Sequence, residues 1–238
     1  MSPRWILGFA AWASMMTLGV ASASSLGGLP SKTLAAWNKP GLPTTPTVLT
    51  CDNFALPGAS GSLLDGRPVQ LPSNCGSGYW TVHAGTWKIK SGELDPKGGD
   101  STATISAGQT NVSAEATVLH ADGRNRVAGI VINHNETAGS YLVGALSGPD
   151  VSELLLVNGG SVTTIATASA TIGASSVVRI SRNGTAVAVS VDGLVRISYT
   201  LTAGQVATLS GGTSVGLYFD SGNAIRFTDV MATTPASP

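Results

Sequence analysis

Val177-Val178-Arg179-Ile180-Ser181-Arg182-Asn183-Gly184-Thr185-Ala186-Val187-Ala188-Val189-Ser190-Val191-Asp192-Gly193-Leu194-Val195-Arg196-Ile197-Ser198-Tyr199 decides the fold of this chain. Val187, Val189 and Val191 alternate with Ala186, Ala188 and Ser190. Residues two apart share one face of a strand, so the valines point together into a core. Asn183-Gly184 and Asp192-Gly193 are turn dipeptides favoured where two central residues need positive φ. The stretch therefore reads as three antiparallel strands joined by two tight hairpins.

The same period extends outward. Asn158-Gly159-Gly160 predicts a hairpin between strands at 153–157 and 162–168. Strands are predicted at 111–119, 126–134, 141–147, 214–219 and 225–231, with Gly, Asn and Asp marking the loops. Residues 80–83 and 86–90 read as a small hairpin around Ala84-Gly85. Glu93-Leu94-Asp95 reads as part of a turn. No apolar stripe of period 3.6 is evident. A dozen short strands at this spacing predict an all-β fold, a two-sheet antiparallel β-sandwich of jelly-roll type, over residues 48–233.

The ends read differently. Met1 to Arg4 is a short positive segment, Trp5 to Val20 is mostly apolar, and Ala21-Ser22-Ala23 places small residues where a signal peptidase cuts. Residues 1–23 are expected to be a signal peptide, which predicts a secreted, extracellular protein. Residues 24–47, with Pro30, Pro40, Pro43 and Pro46, read as a Pro/Gly/Thr-rich linker, and 234–238 as a short tail. Charged residues are only 11% of the 238, and thirteen Lys and Arg balance thirteen Asp and Glu. That balance offers no basic field for nucleic acid. After the N-terminus no apolar run approaches the roughly 20 residues of a membrane span.

Several segments, taken in order, carry a resemblance. They are Cys51-Asp52-Asn53-Phe54, Tyr79-Trp80-Thr81-Val82-His83-Ala84-Gly85-Thr86-Trp87, Val127-Ala128-Gly129-Ile130-Val131-Ile132, Val187-Ala188-Val189-Ser190-Val191-Asp192-Gly193 and Ile225-Arg226-Phe227-Thr228-Asp229-Val230. From about Thr50 to Ala232 the chain resembles the concanavalin A-like lectin/glucanase superfamily, in its laminin G-like branch of secreted bacterial proteins. The resemblance implies a sandwich fold. It leaves function open among lectins, adhesive modules and glycosidases. In such domains Trp80 and Trp87 would face the core. Calcium is common in the superfamily, and Asp52 and Asp229, on first and last strands expected to pair, are its candidate ligands.

Cys51 and Cys75 are the only cysteines, and in an exported protein an even pair reads as a disulfide. Candidate ligand-binding residues are Asp122, Arg124 and Asn125 in one polar loop, Asn135 in another, and Tyr79, whose Gly and Ser neighbours suggest exposure. Signals for catalysis are few. Glu93-Leu94-Asp95 lacks the third acid of the glucanase motif, and Glu115 and Glu153 read as isolated, solvated acids. Asp95, Asp100 and Asp220 are assigned to turns. His83, His120 and His134 show no metal-ligand spacing. His134 and Tyr141 are the pair a jelly-roll lyase would use, without its motif. Strands lining a groove are expected to carry Val, Ala, Ser and Thr. The reading is a non-catalytic binding or adhesive module, with an extracellular glycan as the candidate partner and no cofactor. The alternatives are a surface-matrix protein without a small ligand, and a polysaccharide-active enzyme.

Overall fold

The structure, a computed structural model, describes residues 45–54, 61–69, 75–120, 127–148, 150–220 and 225–236. The expected signal peptide, most of the linker, and the loop holding Asp122, Arg124 and Asn125 lie outside the described residues. Those described form thirteen strands and one short helix. In chain order the first seven strands are β1 (Val48–Asp52), β2 (Thr81–Lys90), β3 (Glu93–Ser106), β4 (Val112–His120), β5 (Val127–Asn135), β6 (Ser140–Ser147) and β7 (Val151–Asn158). Then come β8 (Ser161–Ser169), β9 (Ser175–Asn183), β10 (Ala186–Val191), β11 (Leu194–Thr200), helix α1 (Ala203–Thr208), β12 (Ser214–Phe219) and β13 (Ile225–Thr233).

Every pairing is antiparallel, in the order β11-β10-β9-β4-β13-β3-β12-β5-β6-β7-β8, with β1 on β13 and β2 on β3. The long strand β3 joins two layers. It meets β13 at one register pair, Leu94 with Phe227, and pairs with β12 from Ser101 to Ser106. The layers face each other across one core. Val178, Ile180, Val187 and Val189 come from one side, and Ile130, Ile132, Leu142 and Leu154 from the other. Gly144 on β6 shows how closely they approach, since a Cβ there would lie 2.9 Å from the Ile180 Cβ. Trp80 and Trp87 are core residues. Trp87 packs on Phe227 and Trp80 on Phe54, with centroids 5.9 and 5.8 Å apart.

The Val177–Tyr199 meander forms as the alternation requires. Asp192 and Gly193, both at positive φ, turn β10 into β11, and Gly159-Gly160 turn β7 into β8. The other hairpin is shifted by one residue: Asn183 pairs with Ala186, so Gly184-Thr185 is the turn. The segment at 80–90 differs more. Ala84-Gly85 is no hairpin; β2 runs straight through it, and the chain reverses at Ser91-Gly92, both left-handed. Gly85 (φ 75°) instead marks a bulge where the β2–β3 register shifts, and a Cβ there would lie 1.9 Å from the Ser101 Oγ. Glu93-Leu94-Asp95 accordingly begins a strand, and Asp95 and Asp100 both lie within β3. No apolar period announces helix α1. Its signal is a capping box in which Thr202 and Gln205 cap each other reciprocally.

The Cys51–Cys75 disulfide is present. It ties β1 to the segment before β2. Beside it Asp52 accepts hydrogen bonds from the Phe54 N–H, the Trp80 indole and Arg67, the last as a buried ion pair. Burial lowers the Arg67 pKa, and Asp52 works against that.

Candidate functional site

Strand alternation gives the second layer an outward face. On β12, Val215, Leu217 and Phe219 enter the core while Tyr218 points out; on β6, Leu142 and Leu146 enter while Tyr141, Val143 and Ala145 point out. Val131, Leu155 and Val157 complete an apolar outer cluster around Tyr218. Above it opens a groove of about 510 Å³, lined by His83, Asp100, Thr102, His134, Glu136, Tyr141, Val157, Val162 and Tyr218 among others. Most of these residues come from β2, β3, β5, β6, β7, β8 and β12. The lining is therefore not the Val, Ala, Ser and Thr face expected from the sequence.

His134 reaches the groove through a bulge. Ile130 and Ile132 face the core, so strict alternation would send His134 inward with them. Asn133 is instead left-handed (φ 54°), and the β5 register shifts on both sides. One inserted residue re-aims the residues after it. Asn133 is held by its hydrogen bonds. Its amide donates to the carbonyls of Thr110 (2.8 Å) and Gly212 (3.2 Å), and its Oδ1 accepts from Arg182 of β9 at 3.0 Å. A polar contact from the opposite layer thus aims a groove residue.

The rings form a row. His83 and His134 lie 4.1 Å apart by centroid, and His134 and Tyr141 lie 5.1 Å apart. The His83 Nε2 is 2.8 Å from the Thr104 hydroxyl, and the Tyr141 hydroxyl is 3.3 Å from that of Thr102. Burial, with His83 nearby, pushes His134 down to about 4. Burial also lowers His83, against the opposing pull of Glu136 and Asp65. Both imidazoles are therefore neutral near pH 7.

The floor is acidic. Tyr218 is only 4% exposed, and its hydroxyl has no hydrogen-bond partner among the described residues. Burial raises its pKa, and Asp100, Asp220, Tyr141 and Glu153 raise it further, so it is a standing O–H donor. Burial and the neighbouring Asp100 raise the Asp220 carboxyl, and the two acids flank the Ser101–Phe219 register pair of β3 and β12. No Lys or Arg lines this groove among the described residues.

The residues singled out by sequence fall elsewhere. Tyr79 is 68% exposed and does not line the groove. Asn135 is engaged in structure, donating to the Ser210 carbonyl and accepting from the Ala138 N–H. Asp52 is buried and engaged by Arg67 and Trp80, while Asp229 is exposed at a left-handed bulge in β13. β1 and β13 do pair, and both acids border a smaller pocket of about 270 Å³ with Asn53 and Glu115. No group of three or more His, Cys, Asp or Glu among the described residues could hold a metal ion. Glu115, expected to be isolated, is paired with Arg179. His134 and Tyr141 are legible in the sequence only as a pair without a motif; His83, Asp100, Asp220 and Tyr218 carry no signal there that would join them.

No family model matches this chain, and no curated protein matches it. Solved structures do. The carbohydrate-binding module CBM66 from Bacillus subtilis aligns with 16% identity over 65% of this chain and 94% of its own, with a TM-score of 0.54. A variant of the GH43 protein BlXynB from Bacillus licheniformis aligns with 18% identity over 78% of this chain, at a TM-score of 0.52, but the match takes in 39% of that protein. At these identities the likeness is one of backbone, and it agrees with the two antiparallel layers described above: the chain has an antiparallel β-sandwich fold.

Proposed function

We propose that this chain is an exported, non-catalytic glycan-binding module whose ligand lies in the groove over Tyr218. One observation carries the reading. A nearly buried tyrosine directs an unpartnered hydroxyl into an open groove, beside a row of three rings and two carboxyls. Sugars need that mixture. Ring faces cover their C–H surfaces, while fixed donors and acceptors sort their hydroxyls. The backbone likeness to a carbohydrate-binding module adds an analogy and no more.

A second reading, a polysaccharide lyase, is favoured by His134 and Tyr141 meeting in the groove. Against it stands the electrostatics. Proton abstraction beside a uronate needs positive charge at the developing anion, and the described groove offers neutral imidazoles and carboxyls.

The test is binding of the purified protein to a panel of oligosaccharides, with Tyr218→Phe as the control variant. Loss of one ligand hydrogen bond should weaken binding about tenfold while leaving the fold intact. Full affinity in Tyr218→Phe would remove the groove from the reading. Release of reducing or unsaturated ends by wild-type protein, lost in His134→Ala, would turn the module into an enzyme. Export predicts that secreted material begins at Ser24.

A further inference from the structure

We propose that β8 is a self-association edge, independent of any glycan, at which two copies of this chain pair antiparallel about a two-fold axis through Thr163.

β8 ends the strand order and pairs with β7 alone. Such an edge offers unpaired N–H and C=O groups to a strand of another chain. Folded proteins blunt their edges with charge, proline, covering segments or short strands. The other described edges follow that rule. β2 carries exposed Lys88 and Lys90, and Leu63 forms a bridge to Lys88. β11 carries Arg196, and β1 has only 5 residues. β8 has 9 residues, of which Val162, Thr163, Thr164, Ile165 and Thr167 are β-branched and suited to a strand. No charged residue and no proline stands anywhere from 154 to 178. Ser161, Val162, Thr163 and Thr164 are all exposed.

The printed register fixes where the free backbone groups point. The tight Gly159-Gly160 turn makes Asn158 and Ser161 a hydrogen-bonded pair. Bonded and non-bonded pairs alternate along an antiparallel ladder, so Leu156–Thr163 is bonded as well. Val162 and Thr164 therefore direct their N–H and C=O groups to the open side. Ile165 is bulged and opposes no residue of β7, which ends this flat stretch.

Those groups specify the occupant. A two-fold through Thr163 sets Val162 opposite the partner's Thr164 and repeats the same pair on the other side of the axis. The open groups of both strands are then satisfied by each other. Thr163 meets the partner's Thr163 directly. A strand paired with its own copy opposes like to like, and like charges directly opposite are destabilising. The uncharged run removes that penalty, and it leaves no charge by which a foreign strand would be steered or selected. The axis stands perpendicular to the sheet, so both outer faces point the same way. Because Gly160 and Val162 line the groove, the dimer carries two grooves side by side on one face.

The experiment is sedimentation equilibrium of the purified full chain. A pairing this small gives a weak dimer, so the wild type should pass from monomer to dimer between about 1 µM and about 1 mM. Thr163→Lys and Thr163→Glu each set like charges against one another and should stay monomeric over that range at low salt. An equimolar mixture of the two should recover the dimer, since unlike charges then meet. Thr163→Cys should close a disulfide between copies, because the facing Cα atoms of such a non-bonded pair lie about 4.5 Å apart. Ser161→Cys, which faces no copy of itself, should not. Both positions are exposed, so these side chains leave the core undisturbed.

A wild-type chain that stays monomeric to about 1 mM overturns the inference. So does a dimer that persists unchanged in both charged variants, or cross-linking that is equal at 161 and 163.

Discussion

His134 offers the sharpest test of the groove's physics. The residue is 6% exposed, and its imidazole titrates at about 4 rather than 6.5. The folded protein therefore holds this proton more weakly than the unfolded chain does. Between about pH 4 and 6.5 the unfolded state binds more protons, so stability falls as pH is lowered through that window. At about 1.36 kcal/mol per pH unit, the loss reaches at most about 3 kcal/mol. For a domain of this size that is roughly 6–12 °C in Tm. His83 is shifted the same way, and Asp220, whose carboxyl is raised, contributes with the opposite sign. Wild-type acid sensitivity is therefore a composite. His134→Phe isolates the one ring, because it keeps the contacts to His83 and Tyr141 and removes the titration. Denaturant unfolding of both proteins from pH 7 to pH 4 should show the wild type losing about 2–3 kcal/mol more than the variant. Parallel stability curves would refute the claim that burial in the groove holds His134 neutral.

Other substitutions probe the scaffold that aims the site. Asn133→Ala loses a residue suited to the left-handed conformer, together with three hydrogen bonds, so it should cost about 3 kcal/mol in chemical denaturation. Asn133→Gly restores the backbone without the bonds and should recover only the smaller share of that loss. Asp52→Ala strands Arg67 and the Trp80 indole in the core, and should cost about 3–5 kcal/mol with no change in groove affinity once the protein is folded. Reducing Cys51–Cys75, which closes a loop with a sequence separation of 24, should lower stability by about 3–4 kcal/mol. A midpoint unmoved by reductant would count against that assignment.

Much of the fold is legible in the chain because the physics is local. Alternation of small polar and branched apolar residues specifies a strand face, and dipeptides such as Asp192-Gly193 specify where it reverses. The errors have the same local origin. Gly85 suggests a turn because glycine favours positive φ, and positive φ is what it has; the chain uses it for a bulge within a continuous strand. The real reversal, Ser91-Gly92, carries only one strong turn former. Helix α1 escapes notice because six residues are too few for a period, although Thr202 and Gln205 have the spacing of a capping box.

The site is another matter, since it is assembled across strands rather than along them. His83, Asp100, His134, Tyr141, Tyr218 and Asp220 span well over a hundred residues, and no two share a motif. The sandwich brings them together because β3, β12, β5 and β6 are neighbours in the layer though not in the sequence. One of them even violates the alternation that reveals so much of the fold, for His134 reaches the groove only because Asn133 breaks phase. Composition conceals the rest. A formal net charge of zero does not reveal which acids pair: Asp52, Glu93, Asp95 and Glu115 hold cations, whereas Asp100 and Glu136 line the groove with no ion pair among the described residues.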